Sequence, residues 1–137
     1  DNDYERLWGF LTHEFTGERP TPWLTEAVKD QYRAVWSQGL RGGCNYYRSS
    51  PLRPPRPEDP AAAAIDLPDS MLSINLPTLV VWGMDDVALP PDLIQGLDHY
   101  IPDLTLHKVQ GATHWIIHEQ PELVMHYLQE FLTPKPF

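Results

Sequence analysis

Two short stretches hold the residues that could do chemistry: Val80-Val81-Trp82-Gly83-Met84-Asp85-Asp86 and Gly111-Ala112-Thr113-His114-Trp115. A carboxylate beside an imidazole is what a hydrolase uses to activate a nucleophile or a water. The imidazole titrates near neutrality, and the acid fixes its tautomer and steadies the imidazolium. Taken alone, a histidine after a strand is by default a structural or surface residue, and an Asp-Asp pair is a turn whose side chains bond the local backbone. Asp85 and Asp86 are adjacent and face different ways, so only one can hold an imidazole. His118 and His126 have no partners at ligand spacing, and His13, His99 and His107 stand alone, so neither a metal site nor a cofactor is expected.

The pattern around the two stretches lifts them above ordinary turns. Residues 79–82 and 104–109 are apolar runs of strand length, each ending in one of the polar turns. Between them, residues 90–100 open with Pro-Pro and set Leu93, Ile94 and Leu97 at helical spacing. Strand, helix, strand makes the strands parallel neighbours and puts both turns at the carboxyl edge of the sheet, where open α/β sheets hold their sites. Asp86 and His114 are thereby drawn together.

Upstream, residues 4–15 place Leu7, Trp8, Phe10, Leu11 and Phe15 on one broad helical face, stopped by Gly17 and Pro20. Thr25 stands where an N-cap belongs, before a helix carrying Val28, Tyr32, Val35 and Trp36 as far as Gly39. A glycine-rich turn then leads to a short helical piece, Cys44-Asn45-Tyr46-Tyr47-Arg48. These segments, with Trp8, Trp23 and Trp36 as core, suit a lid over a pocket. Prolines at 51, 54, 55, 57, 60 and 68 make residues 51–69 an extended return path to the sheet, or alternatively a linker. The last helix starts at Pro121 and packs through Leu123, Val124, Tyr127, Leu128, Phe131 and Leu132.

A hydrophobic strand, Gly83-Met84-Asp85-Asp86, a proline-started helix, a second strand and Gly-Ala-Thr-His-Trp resemble the last third of an α/β-hydrolase. The resemblance implies that Asp86, third after the glycine, is the triad acid and His114 the triad base, with a nucleophile preceding both. No Gly-x-Ser-x-Gly or Gly-x-Asp-x-Gly elbow occurs in the 137 residues. Asn45-Tyr46-Tyr47-Arg48 resembles the lid motif of epoxide hydrolases, which implies that Tyr47 gives its proton to the opening epoxide oxygen. A phenol of pKa near about 10 suits that step. Two adjacent tyrosines also suit plain packing, with the phenol tips in water. Trp115 fits the same branch, where His-Trp is a common pairing, and is expected with Tyr46 to line the substrate site; core packing is its other reading. Trp8 is a remote candidate for holding a halide.

The implied fold class is α/β: the C-terminal portion of the mostly parallel sheet of an α/β-hydrolase, with part of a helical cap. Residues 1–70 would be the end of the cap and its return loop, and residues 71–137 the core. The implied function is hydrolysis of an epoxide through a covalent ester on an aspartate outside this chain. The alternatives are a dehalogenase using the same machinery, a serine esterase, and a non-catalytic binding module on the same scaffold. The expected partners are a small electrophilic substrate and the N-terminal half of the same hydrolase, which carries the nucleophile. By itself the chain is expected to be inactive, having no nucleophile and no oxyanion donors.

Composition adds exclusions. Asp and Glu number 19 against 10 Lys and Arg, a formal charge of −9, which opposes binding to nucleic acid or an anionic membrane. No apolar run approaches the roughly 18 residues of a membrane span. The single cysteine, Cys44, excludes an internal disulfide and is compatible with the reducing cytoplasm.

Overall fold

A computed structural model of the chain describes residues 3–14, 16–17, 19–50, 57–58 and 66–133. Phe15 and most of the proline-rich stretch lie outside the described residues. The chain divides into two compact units, residues 1–24 with 73–137, and residues 25–72.

The sheet unit is built on two strands. β1 (Thr78–Gly83) and β2 (Leu104–Val109) pair in parallel, from Thr78 opposite Leu104 to Gly83 opposite Val109, as expected of strands joined by a crossover. The crossover itself differs from the single helix expected over residues 90–100. It is a 3-10 turn, Pro91–Ile94, then a break, then a one-turn α-helix, Leu97–Tyr100. The break is Gly96, whose φ of 77° is left-handed and cannot continue a right-handed helix. Of the three apolar positions expected to face inward, Ile94 is buried and Leu97 half-buried, while Leu93 is exposed; Ile101, just past the turn, is buried as well.

After β2 comes a short helix that the sequence pattern does not announce, Ile116–Glu119, and then the expected long one, Pro121–Leu132, with proline in its first turn. Val109, Ala112 and Ile116 form the buried cluster, and Val81, Leu123, Val124 and Tyr127 close around it. The long helix therefore packs its apolar stripe on the sheet through the histidine turn itself. Tyr127 also lies flat on His107, ring centroids 3.8 Å apart. At the start of the chain the helix expected over residues 4–15 is α-helical over Glu5–Gly9 and π-helical over Phe10–Glu14.

The second unit is helical. Its helices Glu26–Trp36 and Arg41–Ser49 are α2 and α3, the N-terminal Glu5–Gly9 helix being α1. The Thr25 side chain accepts the Val28 N–H at 3.3 Å, the N-cap its position implies. A single turn, Asp69–Leu72, is α4, so the helices following β1 are α5 (Leu97–Tyr100), α6 (Ile116–Glu119) and α7 (Pro121–Leu132). No helix among the described residues is long and apolar enough to cross a membrane.

Candidate active site

The acid turn is stitched to the histidine turn before any side chain is considered. Past Gly83, the Met84 N–H donates to the Val109 carbonyl at 2.9 Å and the Asp85 N–H to the Ala112 carbonyl at 3.0 Å. The two loops thus extend the parallel ladder beyond the strands. Gly83 makes this approach possible, since a Cβ there would stand 2.5 Å from the Thr113 carbonyl oxygen and 2.6 Å from that of Ala112. Gly111, at φ 77°, takes the left-handed corner at which the chain leaves β2.

On this platform Asp86 is buried, 8 % exposed. Its Oδ1 accepts the N–H groups of Ala88 and Leu89 at 2.9 and 2.8 Å, the local turn bonding typical of aspartate. Its Oδ2 lies 2.9 Å from His114 Nδ1. The turn role and the partner role are therefore not rivals, because each oxygen performs one. With Nδ1–H given to the acid, Nε2 is the basic nitrogen, on the far side of a ring about a quarter exposed. An orienting acid, itself fixed by two backbone donors, behind an imidazole is the arrangement that removes a proton from a hydroxyl or a water.

Asp85 is more than a solvated neighbour. Arg19 pairs with its carboxylate and also donates to the Gly111 carbonyl at 3.1 Å, so one guanidinium ties the acid turn to the histidine turn. Glu119 holds the histidine turn from the other side, receiving the Thr113 N–H on Oε2 at 2.8 Å and the Thr113 hydroxyl on Oε1 at 2.6 Å. Sequence reading missed both residues. Arg19 meets partners far along the chain, for which no local spacing exists, and Glu119 reaches back from a one-turn helix that periodicity does not reveal.

Trp115 follows His114 with its ring edge-on, centroids 5.3 Å apart. Its indole N–H donates to the Leu11 carbonyl at 2.8 Å, which fastens the N-terminal segment to the site. Trp23 packs here too, 5.2 Å from Trp115 and stacked on His118 at 4.4 Å. Its place is thus beside the histidine turn, where a lid-core role was expected. Tyr46 and Tyr47 belong to the other unit. Both are on α3, edge-to-face with each other, and exposed. The structure therefore brings Asp86, His114 and Trp115 together in one unit and carries the two tyrosines on a helix of the other. Among the described residues no group of three His, Cys, Asp or Glu side chains could hold a metal ion.

No protein-family model matches the chain. It is 32 % identical over 118 residues to the epoxide hydrolase srdG of Neurospora crassa, covering 82 % of this chain and 33 % of that protein. Identity is 28 % over 139 residues to epoxide hydrolase 3 of Mus musculus, covering 96 % of this chain and 32 % of the relative. The AB hydrolase superfamily protein YfhM of Bacillus subtilis is 28 % identical over 134 residues, covering 96 % of this chain and 41 % of that one. The chain thus spans between about a third and two fifths of the length of these curated relatives. In three dimensions it is similar to Bacillus megaterium epoxide hydrolase in complex with an inhibitor, with a TM-score of 0.67 at 24 % identity over 81 % of this chain and 38 % of that one.

Proposed function

We infer that this chain, which belongs to the α/β-hydrolase family as a C-terminal part of its fold and is most like the epoxide hydrolases, supplies the water-activating half of an enzyme that opens epoxides through a covalent ester. The observation that carries this reading is the Asp86–His114 pair, 2.9 Å apart, its acid anchored on two backbone N–H groups.

In the first step an aspartate carboxylate from the remainder of the hydrolase attacks an epoxide carbon. The C–O bond of the ring breaks, an ester forms, and the departing oxygen takes a proton from the Tyr47 phenol. In the second step His114 Nε2 removes a proton from a water, the hydroxide adds to the ester carbonyl, and collapse releases the diol and the carboxylate. Asp86 stabilises the imidazolium without taking its proton. The imidazolium then gives its proton to solvent, the Tyr47 phenolate takes one from solvent, and the enzyme is reset. Trp115 and Tyr46 would shape the apolar walls that receive the substrate.

The partner in this scheme is the nucleophile-bearing part of the same hydrolase. A pronounced apolar groove of about 600 Å³, lined among others by Leu76, Leu79, Val81, Ile117 and Leu128, suits contact with further protein, and a two-stranded sheet is marginal without additional layers. The exposed free thiol of Cys44 suits a reducing compartment such as the cytoplasm.

A single turnover of an epoxide by the full-length protein in ¹⁸O-water tests the reading. Attack of water on an ester carbonyl leaves the label on the enzyme's carboxylate, so the first diol released is unlabelled. A labelled first diol would mean that water attacks the epoxide carbon directly, and would remove the covalent ester.

A further inference from the structure

The mechanism above uses His114 and Asp86 and leaves unused the polar residue beside them, Thr113, which is only 1 % exposed. Its hydroxyl and its N–H both donate to Glu119, one to each carboxylate oxygen, at 2.6 and 2.8 Å. With its proton spent on Glu119, the hydroxyl oxygen is free to accept, and it receives the Trp115 N–H at 3.3 Å. The residues on either side of His114 are thereby tied to one carboxylate. The Thr113 carbonyl accepts the Ile116 N–H at 3.2 Å and lies against Gly83. The turn is therefore pinned from below by Glu119 and from above by the end of β1.

We propose that Glu119 is a positioning residue for the general base, acting through Thr113 to set the angle at which His114 meets Asp86 and water. The proposal deepens the covalent-ester reading and rests on it for its kinetic form. The side-chain bonds of Glu119 go to Thr113, one residue before the imidazole. A charged acceptor makes short, strong hydrogen bonds, and it fixes which way the Thr113 hydroxyl points. An amide at position 119 would keep the acceptor for the N–H but present a donor to the hydroxyl, which would then have to turn its proton away. In the ester scheme the base is needed only when water attacks, so misplacing it harms one step and spares the other.

The test uses the full-length protein with Glu119→Ala, Glu119→Gln, Thr113→Val and Thr113→Ser. Rapid-quench single turnover measures ester formation and ester hydrolysis separately, and ¹⁵N-histidine NMR follows the Nδ1–H proton that His114 shares with Asp86. Glu119→Ala and Thr113→Val should slow ester hydrolysis by about 10- to 100-fold, the scale of a small misplacement of a reacting group. Ester formation should stay near wild type, and the Nδ1–H resonance should be lost. Thr113→Ser should restore both readouts, and Glu119→Gln should fall between. Unchanged hydrolysis and an unchanged resonance in Glu119→Ala and Thr113→Val would overturn the proposal. Both steps falling by a common factor would overturn it in favour of a purely structural role. If the wild type forms no ester, the reading beneath has failed, and the Nδ1–H resonance alone decides the proposal. Should Glu119→Ala not fold, the Thr113 pair supplies the same comparison.

Discussion

In the sheet unit Ala112 is wholly buried and Thr113 nearly so, whereas in the helical unit neither α2 nor α3 buries a residue, and Tyr46 and Tyr47 are 76 % and 77 % exposed. The sheet unit is locked by bonds between residues far apart in sequence, such as Trp115 to Leu11 and Arg19 to Gly111. The helical unit is ordered by neighbours: the Thr25 cap, Glu26 with Lys29 at 2.7 Å, Asp30 with Arg33 at 2.8 Å, and Arg48 with Asn45 at 3.2 Å. A base that must meet a water at one angle needs the first kind of order. A phenol proposed to hand over a proton must also come within reach of the departing oxygen, but the helix that carries it is ordered by local bonds alone among those named. Substitutions in the sheet unit should therefore change geometry, and substitutions in the helical unit should change only the group removed.

The largest effect is expected at the base. His114→Gln in the full-length protein should slow ester hydrolysis by roughly 10³-fold or more with no loss of folded protein, measured by single turnover alongside thermal melting. Gly83→Ala comes next and sharpens the contrast, because a methyl group that meets the backbone of Ala112 and Thr113 should act on the imidazole through that backbone. The clash with Thr113 should cost about 1–3 kcal/mol of stability and about 10²-fold in hydrolysis, seen together in melting and turnover. In the helical unit Tyr47→Phe should slow ring opening by about 10²-fold while leaving melting and the hydrolysis step unchanged. A Tyr47→Phe protein with a lowered melting point would break the comparison.

The smallest effect lies at Glu26. Its carboxyl is held below its ordinary value of 4.5, first by the hydrogen bond from Lys29 and then by that from Arg33. A lowered folded pKa means that the contribution is fully present above the ordinary value and fades as pH falls through the folded one. Glu26→Gln should thus lower the helicity of α2 slightly at neutral pH and remove the part of its acid-induced fraying that sets in as pH falls below about 4.5, followed by circular dichroism. Exposed pairs of this kind contribute little.

What could be read from the sequence follows the same division between local and distant order. The two strands, the polar turns at their ends and the Thr25 cap are announced by residues close together, and the parallel pairing follows from the connection between the strands. The helix expected over residues 90–100 differs from what forms because apolar spacing reports neither every inward side chain, Leu93 being exposed, nor whether the backbone stays helical. Ile94 is buried as the pattern implies, yet Gly96 breaks the helix. Asp86 is singled out over Asp85 by the resemblance of the turn after Gly83 to an α/β-hydrolase acid turn, and the backbone donors that hold it, Ala88 and Leu89, are its near neighbours. Arg19, Glu119 and the seat of Trp23 were not, since each is defined by a partner on another element.

Intact-protein mass spectrometry of full-length His114→Gln after mixing with an epoxide tests the central claim most directly. With attack intact and water activation removed, the protein should accumulate a species heavier by the mass of one whole epoxide molecule, because ring opening loses no leaving group. A protein that stays at its own mass under those conditions, or that gains mass only from an alkyl halide or an acyl ester, would contradict the reading that this Asp86–His114 site hydrolyses the ester formed by epoxide opening.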